Sequence, residues 1–148
     1  TGEVLGAQWD EIYIADATWI IPGARMKSGI EHRIPLSAAA LAILTAQPRL
    51  GDNPYIFPGY RYGRPLSDMA LLKALRDLGY GVRGTRGHYV PHGFRSSFRD
   101  WSGEIARYPR DVCEMALAQA VESQVEAAYR RGDLFDRRRE LMDDWAAW

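Results

Sequence analysis

The residues best suited to phosphate chemistry lie close together between positions 91 and 101. A helix advances about 100° per residue, so His92, Arg95 and Arg99 fall on one side of a helix through this segment. The opposite side carries three aromatic residues that we expect to be buried: Phe94, Phe98 and Trp101. Because a helix N-terminus attracts anions through its free N–H groups and its dipole, His92 and Arg95 predict a phosphate-binding pocket. An ordinary amphipathic helix with a solvated cationic side stays an alternative, since His-x-x-Arg is a weak pattern.

A second candidate is Tyr129, which is followed directly by Arg130 and Arg131. It lies at the edge of an apolar helix face formed by three residues, Val121, Val125 and Ala128. A tyrosine in such a position most often packs against its neighbours and exposes its hydroxyl. The local pattern alone leaves both a packing role and a chemical role open.

The histidines raise the question of a metal site. His88 and His92 have the four-residue spacing of helical zinc ligands. Pro91 stands between them, and a proline is poorly accommodated in the interior of a helix. Cys113 and His32 lie far away in the sequence. The sequence therefore favours a site with no metal and no other cofactor.

Composition indicates one soluble globular domain with a locally basic region. The chain has 148 residues, a formal net charge of zero and a single cysteine, so no internal disulfide can form. No apolar run approaches the ~18 residues of a membrane span, and we expect a cytoplasmic protein. The basic residues comprise 17 arginines and two lysines. Six of the arginines lie between positions 83 and 110, and arginine grips phosphate with a two-pronged fork.

Periodicity predicts an α+β fold that is mostly α-helical. A short helix at the front is followed by strands near 12–14, 18–21 and 32–36, which form a small three-stranded antiparallel sheet. Ser37 caps the next helix, and Ser67 or Asp68 opens another that stops at Gly79. The predicted helices cover residues 37–47, 67–78, 91–104, 110–119, 121–131 and 134–146.

The last predicted helix has an apolar stripe, which consists of Leu134, Phe135, Leu141, Met142, Trp145 and Trp148. Three consecutive arginines, Arg137, Arg138 and Arg139, are expected on the opposite, solvated face or against DNA. We expect the stripe to pack on the helix's own domain.

Taken in order, several stretches resemble the catalytic domain of tyrosine recombinases, in particular the integrases of prophages and genomic islands. The resemblance spans nearly the whole chain, and Gln119 precedes Tyr129 by the spacing typical of that family. No single stretch is specific, but the ordered set is. The stretches are residues 1–9, 25–27 with 32–37, 92–95, and 116–119 with 127–131.

The resemblance implies a function and a set of site residues. Tyr129 would attack a DNA phosphate to give a 3′-phosphotyrosyl link, and Arg95 would hold the non-bridging oxygens. His92 would bind the phosphate and help to move the tyrosine proton, and Lys27 would protonate the departing 5′-oxygen. Gln119 would donate a neutral hydrogen bond to the phosphate. The implied enzyme is a site-specific recombinase that integrates mobile DNA without ATP or metal.

Two departures from the family pattern lead to further expectations. The family's first catalytic arginine would immediately precede Thr1, which predicts that residues 1–148 are a C-terminal catalytic domain truncated at its N-terminus and weakly active by itself. The second departure is Gln119, which stands where the family usually has His or Trp. The alternative function is therefore a degenerate domain that binds DNA or a partner without cleaving. The expected partners are double-stranded DNA and other protomers, which the tail helix would contact, and no membrane.

Overall fold

The predicted α+β, mostly helical architecture is confirmed by a computed structural model that describes residues 1–80, 89–119 and 132–148. Within these ranges the strands are β1 (Ile12–Tyr13), β2 (Thr18–Ile21) and β3 (His32–Pro35). The helices are α1 (Gly2–Leu5), α2 (Ala38–Thr45), α3 (Ala70–Asp77), α4 (Gly93–Asp100), α5 (Arg110–Ala116) and α6 (Phe135–Ala147). No helix of the described residues is long and apolar enough to cross a membrane.

The sheet is antiparallel, as predicted, and its strand order is β1-β2-β3, with β2 in the centre. Trp19 of β2 pairs with Ile12 on one side and with Ile34 on the other. The sheet packs against α2, whose N-cap Ser37 accepts a hydrogen bond from the Ala40 N–H at 3.3 Å. A first hydrophobic core lies here, with the buried residues Ala7, Leu36, Leu44 and Ile56 and the flanking side chains of Trp9 and Trp19.

A second core joins α4, α5 and α6. Its buried members are Phe98, Trp101, Val112 and Leu141. Trp145 of α6 contacts two of them, with ring centroids 5.4 Å from Phe98 and 5.0 Å from Trp101. The expectation that Phe94 is buried with these aromatic residues is wrong, because Phe94 lies in the first turn of α4, ahead of the core, and its side chain is 61% exposed.

Several predicted boundaries shift by a few residues. The helix predicted from Ser67 or Asp68 begins at Ala70, after a turn in which the Ala70 N–H donates to the Ser67 carbonyl. Pro91 lies in a turn ahead of α4, and helical structure continues past Asp100 as a π-helical segment, Trp101–Ile105. The helix predicted over 110–119 ends at Ala116. The helix predicted over 121–131 falls outside the described residues.

The tail helix α6 packs on its own domain, as expected, but one of its arginines is placed differently from the prediction. Arg138 is buried, 1% exposed, and donates to the Arg33 carbonyl at 2.6 Å, the Asp133 carbonyl at 2.7 Å and the Asp133 carboxylate at 2.9 Å. These acceptors make a charged residue tolerable in the interior. Burial and the positive charge of Arg138 lower the pKa of the neighbouring His32.

Replacing Arg138 with Met should therefore lower the free energy of unfolding by roughly 2–4 kcal/mol, because the Arg33 carbonyl loses its donor in a buried setting. Urea denaturation of the chain measures the effect. The control is Arg137→Met on the exposed face of the same helix, which should change stability by less than about 0.5 kcal/mol. Equal stabilities of the two variants would show that Arg138 does not tie α6 to β3.

Candidate phosphate-binding site

The front of α4 is open and presents His92. This residue is the N-cap of the helix, its side chain is exposed, and it makes no side-chain capping hydrogen bond. A Cβ built on the next residue, Gly93, would meet nothing within 4 Å. Arg95 follows His92 by three positions, a spacing that puts the two side chains on the same side of the helix. Both residues therefore lie in the N-terminal turn of α4.

Arg95 is half-buried, and its position depends on the end of another helix. Its Nη2 donates to the carbonyl oxygen of Leu117, the C-cap of α5, at 2.6 Å. The last carbonyls of a helix carry partial negative charge, and a cation at this end is stabilised by it. The contact fixes the guanidinium between the front of α4 and the end of α5.

Gln119 is brought to Arg95 by the way in which α5 terminates. The Gln119 N–H bonds the Glu114 carbonyl at 2.9 Å and the Ala118 N–H bonds the Met115 carbonyl at 3.1 Å. This pair of bonds is the Schellman motif, with Ala118 in the left-handed conformation at φ +51°. The Gln119 amide then lies between a carboxylate and a guanidinium, and its oxygen accepts from Arg95 Nη2 at 3.2 Å.

The amide orientation follows from the chemistry of its neighbours. A carboxylate can only accept a hydrogen bond, so the Gln119 NH₂ group faces Glu114. The Glu114 side chain is 16% exposed, and its Oε1 accepts a hydrogen bond from Arg99 Nε at 3.2 Å and forms an ion pair with Arg110 Nε at 3.6 Å. Arg99, which the helical pattern grouped with His92 and Arg95, is therefore paired with an acid of the neighbouring helix.

Lys27 lies on a different part of the chain, in the exposed turn that follows the 3₁₀ segment Gly23–Arg25 and leads to β3. The base of this turn is anchored by Arg25, whose guanidinium pairs with the buried Glu11 carboxylate and bonds the Glu3 carbonyl at 2.7 Å. Among the described residues, no hydrogen bond or ion pair connects Lys27 with Arg95, His92 or Gln119. The turn is thus fixed at its base, with the lysine ammonium in solvent.

Of the predicted site residues, the structure brings together Arg95 and Gln119, with His92 one turn away, and leaves Lys27 apart. Tyr129 and its neighbour Arg130 lie outside the described residues, as does His88. Within the described parts of the chain, no group of three or more His, Cys, Asp or Glu side chains could hold a metal ion.

Sequence reasoning missed two contributors to the site. The Leu117 carbonyl carries no signal in a sequence, because every residue has a carbonyl and only the helix end makes this one available. Glu114 did have a signal in the sequence. It is an acidic residue near the C-terminal end of α5, where the helix dipole usually favours a basic residue.

Comparison with known proteins bears directly on this arrangement. The Phage integrase family model matches residues 1–104, which include Lys27, His92 and Arg95 and stop before Gln119. The chain belongs to the phage integrase family. It is 38% identical over 146 residues to prophage integrase IntA of Escherichia coli (strain K12), covering 97% of this chain and 34% of that protein.

Two further relatives support the same assignment. Prophage integrase IntZ of Escherichia coli (strain K12) is 35% identical over 147 residues, 99% of this chain and 35% of that protein. The integrase of Shigella phage Sf6 is 28% identical over 151 residues, 100% of this chain and 38% of that protein. The chain thus spans about a third of the length of these integrases. No solved structure matched the chain.

The Schellman motif that places Gln119 contains a residue poorly suited to it. Ala118 adopts φ +51°, where a Cβ is unfavourable, so Ala118→Gly should raise the free energy of unfolding by about 0.5–1 kcal/mol. The control is Ala116→Gly in the last turn of α5, which should lower it by a similar amount. Chemical denaturation of both variants checks the pair. Destabilisation by both substitutions would mean that residue 118 is not left-handed.

Proposed function

We propose that this chain is the catalytic domain of a site-specific tyrosine recombinase that cleaves and rejoins double-stranded DNA through Tyr129. The observation that carries the proposal is the position of Arg95, which the end of α5 holds beside Gln119 and one turn from the open helix N-terminus at His92. A guanidinium so placed can meet a phosphate that also approaches the N-terminal end of α4, where the helix dipole favours an anion.

The reaction is a transfer of the phosphoryl group between oxygens. The Tyr129 hydroxyl attacks the phosphorus, the bond to the 5′-oxygen breaks, and a 3′-phosphotyrosyl bond forms. A free phenol has a pKa near ~10, so it needs a proton acceptor at neutral pH, and His92 supplies one. The departing 5′-oxygen takes a proton from Lys27, whose exposed ammonium stands on an anchored turn.

Charge builds up on the non-bridging oxygens during this transfer. Arg95 has five N–H donors, and Nη2 is engaged with the Leu117 carbonyl and the Gln119 oxygen. The remaining N–H groups on Nε and Nη1 are those that stabilise the phosphate. Gln119 is the fifth member of the set; one N–H of its NH₂ group donates to Glu114, and the second N–H is the one that would donate to the phosphate.

The names of the relatives support the wider setting. The similar proteins are called prophage integrases, so we propose that the natural substrate is DNA recombined during integration or excision of a mobile element. The same reasoning suggests a cytoplasmic protein whose protomers assemble on DNA. In a single copy the tail helix packs on its own domain, and Trp148, 72% exposed, is the part of the apolar stripe that could meet a neighbour.

The covalent step gives the direct test of this function. Incubated with a nicked suicide substrate, the natural protein that carries this chain should form an adduct joined through Tyr129 to a 3′-phosphate. Tyr129→Phe should abolish the adduct, and the matched control Tyr89→Phe, a tyrosine exposed ahead of α4, should retain it. Peptide mapping identifies the attached residue.

The outcomes separate the candidate functions. An adduct on another residue, or one that survives Tyr129→Phe, would contradict the proposal. Specific DNA binding without any adduct would favour the binding-only alternative. Because arginine carries the phosphate charge, the adduct should also form in excess EDTA; loss in EDTA with recovery in magnesium would indicate a metal-dependent nuclease instead.

A further inference from the structure

We infer that Glu114 is a positioning residue for Arg95 and that it acts through the side chain of Gln119. This inference rests on the proposed function, because it assigns a role within the same site. It starts from the fact that three charged or dipolar groups are joined by successive hydrogen bonds: the Glu114 carboxylate, the Gln119 amide and the Arg95 guanidinium.

Only one orientation of the Gln119 amide satisfies both of these hydrogen bonds. A carboxylate offers only acceptors and a guanidinium only donors, whereas an amide has a donor at one end and an acceptor at the other. The Gln119 side chain therefore turns its NH₂ to Glu114 and its oxygen to Arg95. Glu114 sets the orientation of the amide, and the amide presents an acceptor to Arg95.

Glu114 is itself firmly held. Its side chain is largely buried, and its Oε1 is paired with Arg99 of α4 and Arg110 of α5, while Oε2 receives the Gln119 amide. Hydrogen bonds to a charged acceptor are stronger than those between neutral groups. The carboxylate is thus a fixed point to which the Gln119 side chain is attached.

Arg95 gains a defined orientation from this arrangement. Its Nη2 has two hydrogens, and two acceptors lie within reach, the Leu117 carbonyl at 2.6 Å and the Gln119 oxygen at 3.2 Å. With both bonds made, the guanidinium group cannot change its orientation without breaking one of these two hydrogen bonds. The N–H groups on Nε and Nη1 then point in a fixed direction, which is the condition for efficient charge stabilisation.

The opposite role for Gln119 leads to the opposite prediction. If its amide acts mainly as a hydrogen-bond donor to phosphate, Glu114 occupies one of its two N–H groups and restrains the nitrogen against the phosphate. Removing the negative charge of Glu114 would then release the Gln119 amide and raise the cleavage rate. If the Gln119 oxygen instead orients Arg95, removing the charge of Glu114 also removes the fixed orientation of the guanidinium and lowers the cleavage rate.

The experiment is Glu114→Gln in the natural protein that carries this chain, measured by single-turnover cleavage of a suicide substrate and by DNA affinity. The cleavage rate should fall at least about tenfold, since small displacements of a catalytic group have large effects. The dissociation constant for DNA should change less than about twofold, because the altered residue contacts Arg95 only through Gln119. The matched control is Glu104→Gln, an exposed acid in the π-helical segment, which should leave both quantities unchanged.

A double-substitution test shows whether the effect passes through Gln119. Gln119→Met removes the amide, so Glu114→Gln added to it should lower the rate no further. A rate that is unchanged or raised in Glu114→Gln, or a further loss in the double variant as large as in the single one, would overturn the inference. Thermal unfolding of each variant verifies folding, and Glu114→Asp, which keeps the charge but shortens the reach, replaces any variant that fails to fold.

A measurement that needs no cleavage distinguishes failure of this inference from failure of the proposed function. Gln119 is exposed, so its hydrogen bond to Glu114 is what would protect its NH₂ group. In nitrogen-15 NMR spectra, this NH₂ should exchange with water more slowly than a free glutamine side chain does, and the protection should be lost in Glu114→Gln. Slow exchange that does not depend on Glu114 would overturn the inference even if Tyr129 forms the adduct. The predicted exchange together with absence of any adduct would keep the positioning role and reject the recombinase chemistry.

Discussion

The hydrogen bond from the Arg95 guanidinium to the Leu117 carbonyl is the contact on which the arrangement of this site depends. It joins the first turn of one helix to the last turn of the next, two places that each carry an unbalanced dipole. The dipole of α4 favours an anion at its N-terminal end, and the last carbonyls of α5 favour a cation. Arg95 occupies the second position. In the proposed function, the phosphate would occupy the first.

Arginine plays the same physical part elsewhere in the chain. Arg138 donates to two backbone carbonyls and a carboxylate, and so ties α6 to β3. Arg25 pairs with Glu11 and bonds the Glu3 carbonyl, which anchors the turn that carries Lys27. The five donors of a guanidinium suit this role, because one side chain can hold several oxygens from distant segments. Part of the arginine excess therefore serves the fold as well as any contact with DNA.

The sequence predicted the elements better than the contacts between them. Local patterns were enough to predict the three strands, the N-cap Ser37 and the amphipathic helix α4. The strands and α4 follow from the spacing of their apolar residues, and the cap follows from the residue type. Burial was less predictable, since Phe94 is exposed and Arg138 is buried, each contrary to the expectation. Helical periodicity predicts which residues share a helix face. Whether each of them is buried depends on how far the hydrophobic core extends along the helix, and on whether a buried charged side chain finds hydrogen-bond acceptors there.

The candidate site divides in the same way. His92 and Arg95 could be predicted together, because their spacing on one helix brings them to one side. Gln119 joins them through a Schellman motif formed by Ala118, a residue that seldom adopts a left-handed conformation, so no local rule indicated the turn. The part played by Glu114 depends on that turn as well.

The central claim is that Arg95 stabilises the phosphate through a guanidinium held by the end of α5, and Arg95→Lys tests it most directly. Lysine keeps the charge but has a single nitrogen, which cannot bond the Leu117 carbonyl, the Gln119 oxygen and a phosphate with a fixed plane. Single-turnover formation of the covalent adduct should slow by at least about a hundredfold, while DNA affinity stays within about threefold. Adduct formation at the unaltered rate in Arg95→Lys would contradict the account, because a point charge at that position would then be sufficient.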